Sequence, residues 1–183
     1  DLAGPPHRIV GTTLPHITAP VEIAGVTASG AVAPGADRRF QPSVTLIGAA
    51  NLTIRSSGVT IRGLAFRGFA GTGIQAVPQT GAPALTDVVI RENYVGVEPG
   101  QTTCGTGPSR TGGSSGILIR GVQNALVAYN VVGCNSTGIL VAEGAVRSEV
   151  VANGVGVLDG ADFGNVTVGI DVTNGTAGNA QSI

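Results

Sequence analysis

The sequence predicts an all-β fold, a right-handed parallel β-helix (a solenoid) with rungs of about 22 residues and loop insertions. Three observations lead there: one segment pattern that recurs, short apolar runs that alternate, and a composition unlike that of an ordinary globular core. Four segments share the pattern: VTIRGLAFRGFAGTGI (59–74), VVIRENYVGV (88–97), ALVAYNVVGCNSTGI (125–139) and EVVANGVGV (149–157). Aligning them puts Ile61, Ile90, Val127 and Val150 in one column, with Leu64, Asn93, Asn130 and Asn153 three residues further on. A Gly-Ile pair follows each segment: Gly73-Ile74, Gly116-Ile117, Gly138-Ile139 and Gly169-Ile170. The tightest complete period runs from Ile117 to Ile139, and longer rungs carry loops at the same turn.

Within the segments apolar residues alternate for three to five residues and then meet Gly or Asn, the period of a half-buried strand. No stretch keeps a helical i, i+3, i+4, i+7 pattern. The Asn column is expected at a tight bend, where Asn tolerates φ > 0 and its amide bonds the Asn of the next rung, so Asn93, Asn130 and Asn153 should form a ladder. The glycines before Ile are expected to permit a turn.

The composition agrees. Charged residues are 11% of the chain, against roughly 25% in typical domains. Aromatics are 3%, while glycine counts thirty and proline ten. Stacked strands can fill a core with Val, Ile, Leu and Ala alone, because each packs on its equivalent in the next rung. Residues 1–183 read as one β-helix domain, either a segment of a longer chain or the subunit of a polymer. Net charge −1 offers no basic face for nucleic acid, and no apolar run approaches the ~18 residues of a membrane span.

The segments LPHITAPVEIAG (14–25), VTIRGLAFRGFAGTGI and NVTVGIDVTNGTAGNAQSI (165–183) resemble the secreted bacterial right-handed β-helix repeat proteins, many of which begin with a so-called CSLREA segment. The similarity runs across nearly the whole chain. It rests on scaffold motifs and implies the fold and export to the cell exterior; the family has no single activity.

Chemistry is sparse. β-Helices that cleave polysaccharides set clustered Asp residues, or calcium with a basic residue, on one strand face. This chain has no Lys and no closely spaced acidic pair on any expected strand. Glu98, Asp159 and Asp162 are the nearest approach, carboxylates that share a turn and could line a ligand or calcium loop. A solvated loop explains them equally well, and no metal site or cofactor is expected. His7 and His16 have no acidic neighbour to form a relay. Arg62 and Arg91 share a column beside Glu92, as an outward ladder or a stripe for anionic glycans. Phe66, Phe69 and Tyr94 are expected to fill the core, with sugar stacking as the other use. Four Asn-x-Thr triplets, at Asn51, Asn135, Asn165 and Asn174, are glycosylation acceptors if the source glycosylates.

Cys104 and Cys134 show neither zinc spacing nor a nearby histidine. They are either two buried thiols or a disulfide. The disulfide is favoured, because Cys134 aligns with Val97 one rung earlier, and Cys104 lies in the loop 98–115 that can fold back over the next rung. Such a bond fits an oxidising, extracellular compartment.

The expected function is that of an extracellular structural or cell-surface protein, not an enzyme, whose module assembles end to end into filaments or a surface layer. No terminal helix closes the stack, so its chief partner is itself. The Pro-rich start, with Pro5, Pro6, Pro15 and Pro20, is the alternative cap that would block this. The rival function is a glycan-binding or polysaccharide-degrading β-helix, with extracellular glycans as partners.

Overall fold

The computed structural model describes residues 7–11, 13–28, 30–32, 40–48, 51–101, 103–104, 112–158 and 160–173. Alternating Val, Ile, Thr and Leu between Gly and Asn make short extended elements and nothing longer. They begin with β1 (His7–Val10), β2 (Glu22–Ala24), a 3-10 turn at Gly25–Thr27, β3 (Val44–Ile47), β4 (Leu52–Ile54), β5 (Thr60–Arg62) and β6 (Leu64–Arg67). Next come β7 (Thr72–Ala76), β8 (Leu85–Thr86), β9 (Val89–Arg91), β10 (Tyr94–Val95), β11 (Gly112–Ile119), β12 (Val122–Gln123) and β13 (Leu126–Ala128). The chain closes with β14 (Val131–Val132), β15 (Asn135–Val141), β16 (Glu149–Val151), β17 (Gly154–Val155), β18 (Val157–Leu158), β19 (Ala161–Asp162) and β20 (Val168–Val172).

Three parallel sheets hold most of these strands. The first has the order β2-β5-β9-β13-β16, the second β1-β3-β6-β10-β14-β17 and the third β4-β7-β11-β15-β20. The chain goes to the first, second and third sheet in fixed rotation, so each circuit adds one strand to each. β8 and β12 form a small parallel pair, and β18 and β19 a short antiparallel one.

The register places Ile23, Ile61, Ile90, Val127 and Val150 side by side in the first sheet. Leu46, Phe66, Val95, Val132 and Val155 do the same in the second, and Leu52, Ile74, Ile117, Ile139 and Ile170 in the third. These columns meet in one apolar core. Because the side-chain period is two, a slip of one residue would turn a whole column outward, which makes this register strongly specified. Circuit length is elastic: Asn93 and Asn130 stand 37 residues apart, Asn130 and Asn153 only 23. The excess leaves as loops.

The turn chemistry differs from the expectation in an instructive way. Positive φ falls one residue before each member of that column, at Gly63 (+68°) before Leu64 and at Glu92 (+59°), Tyr129 (+57°) and Ala152 (+54°) before the three Asn. Asn is there for its hydrogen bonds. Asn130 Oδ1 accepts the Asn93 backbone N–H at 3.0 Å and its Nδ2 at 3.1 Å, and Asn153 Oδ1 accepts the same two groups of Asn130 at 2.9 and 3.0 Å. Each Nδ2 also donates to the carbonyl of the inward first-sheet residue of the preceding circuit: Asn93 to Ile61, Asn130 to Ile90, Asn153 to Val127. Asn93 and Asn130 are fully buried. The ladder satisfies polar groups that no other neighbour reaches, and this outweighs the roughly 1–2 kcal/mol each non-glycine left-handed residue costs.

The Gly-Ile glycines also change role. They lie inside the third-sheet strands, not in turns, and their φ is ordinary. Space is the reason: a Cβ on Gly73 would stand 2.8 Å from the Gly116 carbonyl oxygen, and one on Gly116 2.7 Å from that of Gly138. Glycine here allows neighbouring backbones to approach.

Candidate functional site

Outside the second sheet sits a separate apolar cluster. Ala65, Tyr94 and Val131 on the sheet's outer face pack with Val97, Cys134 and Phe163, and Cys104 leans against them. The loop after β10 makes this possible through its own hydrogen bonds. Gln101 N–H donates to the Glu98 carbonyl at 3.1 Å, Glu98 N–H to Gln101 Oε1 at 3.0 Å, and Gln101 Nε2 to the Thr103 carbonyl at 2.6 Å. That bend brings Cys104 back over the sheet, where it is disulfide-bonded to Cys134 across 30 residues, with Cα atoms 5.5 Å apart. Cys134 has φ +61° and donates its N–H to the Phe163 carbonyl at 2.9 Å, so the same residue anchors the loop and the β18–β19 hairpin.

Charge binds the same loop. Glu98 Oε2 lies 2.9 Å from Arg67 Nη1 and 3.5 Å from Arg8 Nη2, and its side chain is only 15% exposed. The two arginines are half-exposed, so each pair contributes no more than about 1 kcal/mol. Their geometry links β1, β6 and the loop. Glu98 is thus occupied by arginine. Asp162 is exposed and accepts the Gly164 N–H at 2.8 Å, a local turn contact. Asp159 lies outside the described residues. Among the described residues no group of three or more His, Cys, Asp or Glu stands where it could hold a metal ion.

The sequon asparagines have structural work. Asn135 is fully buried, and its Nδ2 donates to the Val95 and Gly133 carbonyls at 3.2 and 2.8 Å. In the folded chain that nitrogen is enclosed and engaged by two carbonyls. Asn165 Oδ1 accepts the Asn135 backbone N–H at 3.1 Å, and Asn51 Oδ1 the Thr72 N–H at 3.1 Å. They form a second set of bonds between circuits where the chain enters the third sheet. Sequence reading missed it; the available signal was the place of Asn135 and Asn165 four and five residues before the Gly-Ile isoleucine. Asn174 lies outside the described residues.

Other candidates resolve simply. Phe66, Phe69 and Tyr94 are buried. Arg62 and Arg91 are register neighbours on the first sheet, and Arg62 Nε bonds Glu22 on β2. His7 is half-buried in β1, and His16 is exposed. No helix among the described residues is long and apolar enough to cross a membrane.

The two ends of the stack stand apart from its middle. The large apolar side chains that remain exposed are Ile9, Val10, Val21 and Val32 in the opening circuits, and Val151, Val157, Val166 and Val172 in the last. Between Val32 and Val151 there is none among the described residues. Val10 is 77% and Val166 64% exposed. At the amino-terminal end an apolar cavity of about 230 Å³ opens between Leu14, Pro15, Ile17, Ile23, Leu46, Leu52 and Leu64.

No protein-family model, no curated protein and no solved structure matches this chain.

Proposed function

We propose that this chain is a right-handed parallel β-helix, a structural module of an exported or cell-surface protein, and that it stacks end to end with copies of itself. The rotation through three parallel sheets supports the helix, and parallel crossovers are right-handed in about 98% of cases. The disulfide favours an oxidising compartment. Resemblance to the secreted bacterial repeat proteins points the same way.

One observation carries the assembly: among the described residues the exposed large apolar side chains are confined to the opening and last circuits. Among the described residues every sheet has a terminal strand at either end, and unpaired strand edges recruit further strands. Contact between unlike ends is heterologous and does not close, so it propagates into a filament. Glycan binding has less support, because Phe66, Phe69 and Tyr94 are buried and Arg62 is engaged by Glu22.

Light scattering across a wide concentration range, with electron microscopy of the same samples, tests the reading. Mass should grow with concentration and short filaments should appear. A monomer at every concentration would sink it.

A further inference from the structure

Three asparagines share the ladder, but the residues that follow them differ. Asn93 precedes Tyr94, Asn130 precedes Val131, and Asn153 precedes Gly154. The difference is chemical, because asparagine is among the thermolabile residues. The backbone nitrogen after an asparagine is held close enough to attack the side-chain carbonyl carbon and close a five-membered ring. A side chain on the following residue crowds that approach, and glycine has none. Asn is followed by Gly twice in the chain, and the second pair, at 174–175, lies outside the described residues.

The fold occupies both reacting groups of Asn153-Gly154. The Gly154 N–H donates to the Asn130 carbonyl at 2.8 Å. Asn153 Nδ2 donates to the Val127 carbonyl at 2.8 Å, and its Oδ1 accepts the Asn130 backbone N–H and Nδ2 at 2.9 and 3.0 Å. All four bonds run to Val127 and Asn130 of the preceding circuit, so attack requires β17 to part from β14. Little holds that joint. β17 is only Gly154 and Val155, both half-buried like Asn153. Val151 and Ala152 before it are exposed, and Ala152 sits at φ +54°. Sparse burial and a strained turn are marks of local opening.

We propose that Asn153-Gly154 is a self-modification site, silent while its circuit is closed and converted irreversibly when the circuit opens. The Gly154 nitrogen forms a bond to Asn153 Cγ, the Cγ–Nδ2 bond breaks, and the proton of that nitrogen leaves with Nδ2 as ammonia. Water then adds to one of the two ring carbonyls and opens the ring. The product is aspartate or isoaspartate, whose backbone is one carbon longer. Either product undoes the ladder at this step. A carboxylate has no N–H for the Val127 carbonyl and sets an oxygen against it. Isoaspartate also displaces Gly154 and Val155 from Val131 and Val132, their register partners. A converted circuit does not reclose in register, so the chain keeps a record of having opened. The inference does not depend on end-to-end stacking.

Peptide mapping by mass spectrometry tests it on the full chain, incubated at mildly alkaline pH both folded and in urea. Asn153 should convert in urea, and at least about tenfold more slowly in the folded chain. Asn93 and Asn130, read from the same digests, should stay amides in both. Gly154→Ala, incubated in urea where folding does not enter, should suppress conversion. In folded protein that has converted, the amides of Gly154 and Gly156, bonded to the Asn130 and Val132 carbonyls, should exchange at least about tenfold faster. An unfolded chain in which Asn153 stays an amide, or in which Gly154→Ala converts as fast, would overturn the site. Equal rates in folded and unfolded chain would overturn its control by the fold. Unchanged exchange after conversion would overturn the loss of β17.

Discussion

Replacing Asn130 with alanine should cost the folded chain roughly 3–6 kcal/mol, an unusual amount for so small a change. Its side chain makes four hydrogen bonds, to the backbone N–H and Nδ2 of Asn93, to the Ile90 carbonyl and to Asn153 Oδ1. Asn93 Nδ2 keeps the Ile61 carbonyl when Asn130 is truncated, and Asn153 Oδ1 keeps the Asn130 backbone N–H. The Asn93 N–H keeps nothing. Asn93 is fully buried, so water cannot take over, and one orphaned donor costs about 1–3 kcal/mol. The other three bonds contribute about 0.5–1.5 kcal/mol each. Against a total stability of about 5–15 kcal/mol, the variant should lose at least about a fifth of its margin. Urea unfolding followed by far-UV circular dichroism measures this, with a slope equal to wild type showing that the same surface unfolds. Asn153→Ala is the internal comparison. Asn153 makes three such bonds where Asn130 makes four, and the Asn130 N–H it would orphan adjoins a half-buried position that water can enter once the side chain is gone, so a smaller cost of about 1–2 kcal/mol is expected. If Asn130→Ala costs under about 1 kcal/mol, or no more than Asn153→Ala, the ladder does not stabilise the stack as argued.

Three further outcomes follow from the same geometry. Val127→Asp places a carboxylate in a column of Ile90 and Val150 with no partner, and should abolish folding, seen as loss of the cooperative transition. Ala152→Gly should stabilise by up to about 1 kcal/mol, because Ala152 is exposed at φ +54°; a destabilised variant in the same urea assay would contradict the strain argument. Denatured, unreduced protein should show no reactive thiol, and reduction should lower stability by roughly 3–4 kcal/mol for a closed loop of this length, whereas two titratable thiols would refute the bond.

Much of this architecture was legible before any coordinates. The first-sheet column Ile61, Ile90, Val127 and Val150 could be aligned by eye, because parallel stacking sets like beside like and a period of two leaves one face for the apolar set. The Asn column was visible for the same reason. Position in a column, however, does not say what a residue does there. Asn93, Asn130 and Asn153 were expected to supply positive φ, and the structure assigns that to the residues before them, Glu92, Tyr129 and Ala152, none of which advertises it in sequence. A left-handed turn is imposed by where the chain must go next, and a residue accepts it when neighbours over-determine the bend.

The sequence by itself determined the strand type, the repeat, the inward columns and the candidate cysteine pair, because each is local or periodic. Only the tertiary structure decided that Glu98 pairs with Arg8 and Arg67, that Asn135 lies buried under Gly133 and Val95, and that Phe163 packs on Cys134. It also decided that Leu14, Ile23 and Leu52 line an apolar cavity at the amino-terminal end. These features join residues from different circuits through loops of unequal length. Loop closure is nearly indifferent to length, so spacing along the chain carries almost no information about which loop residue meets which strand.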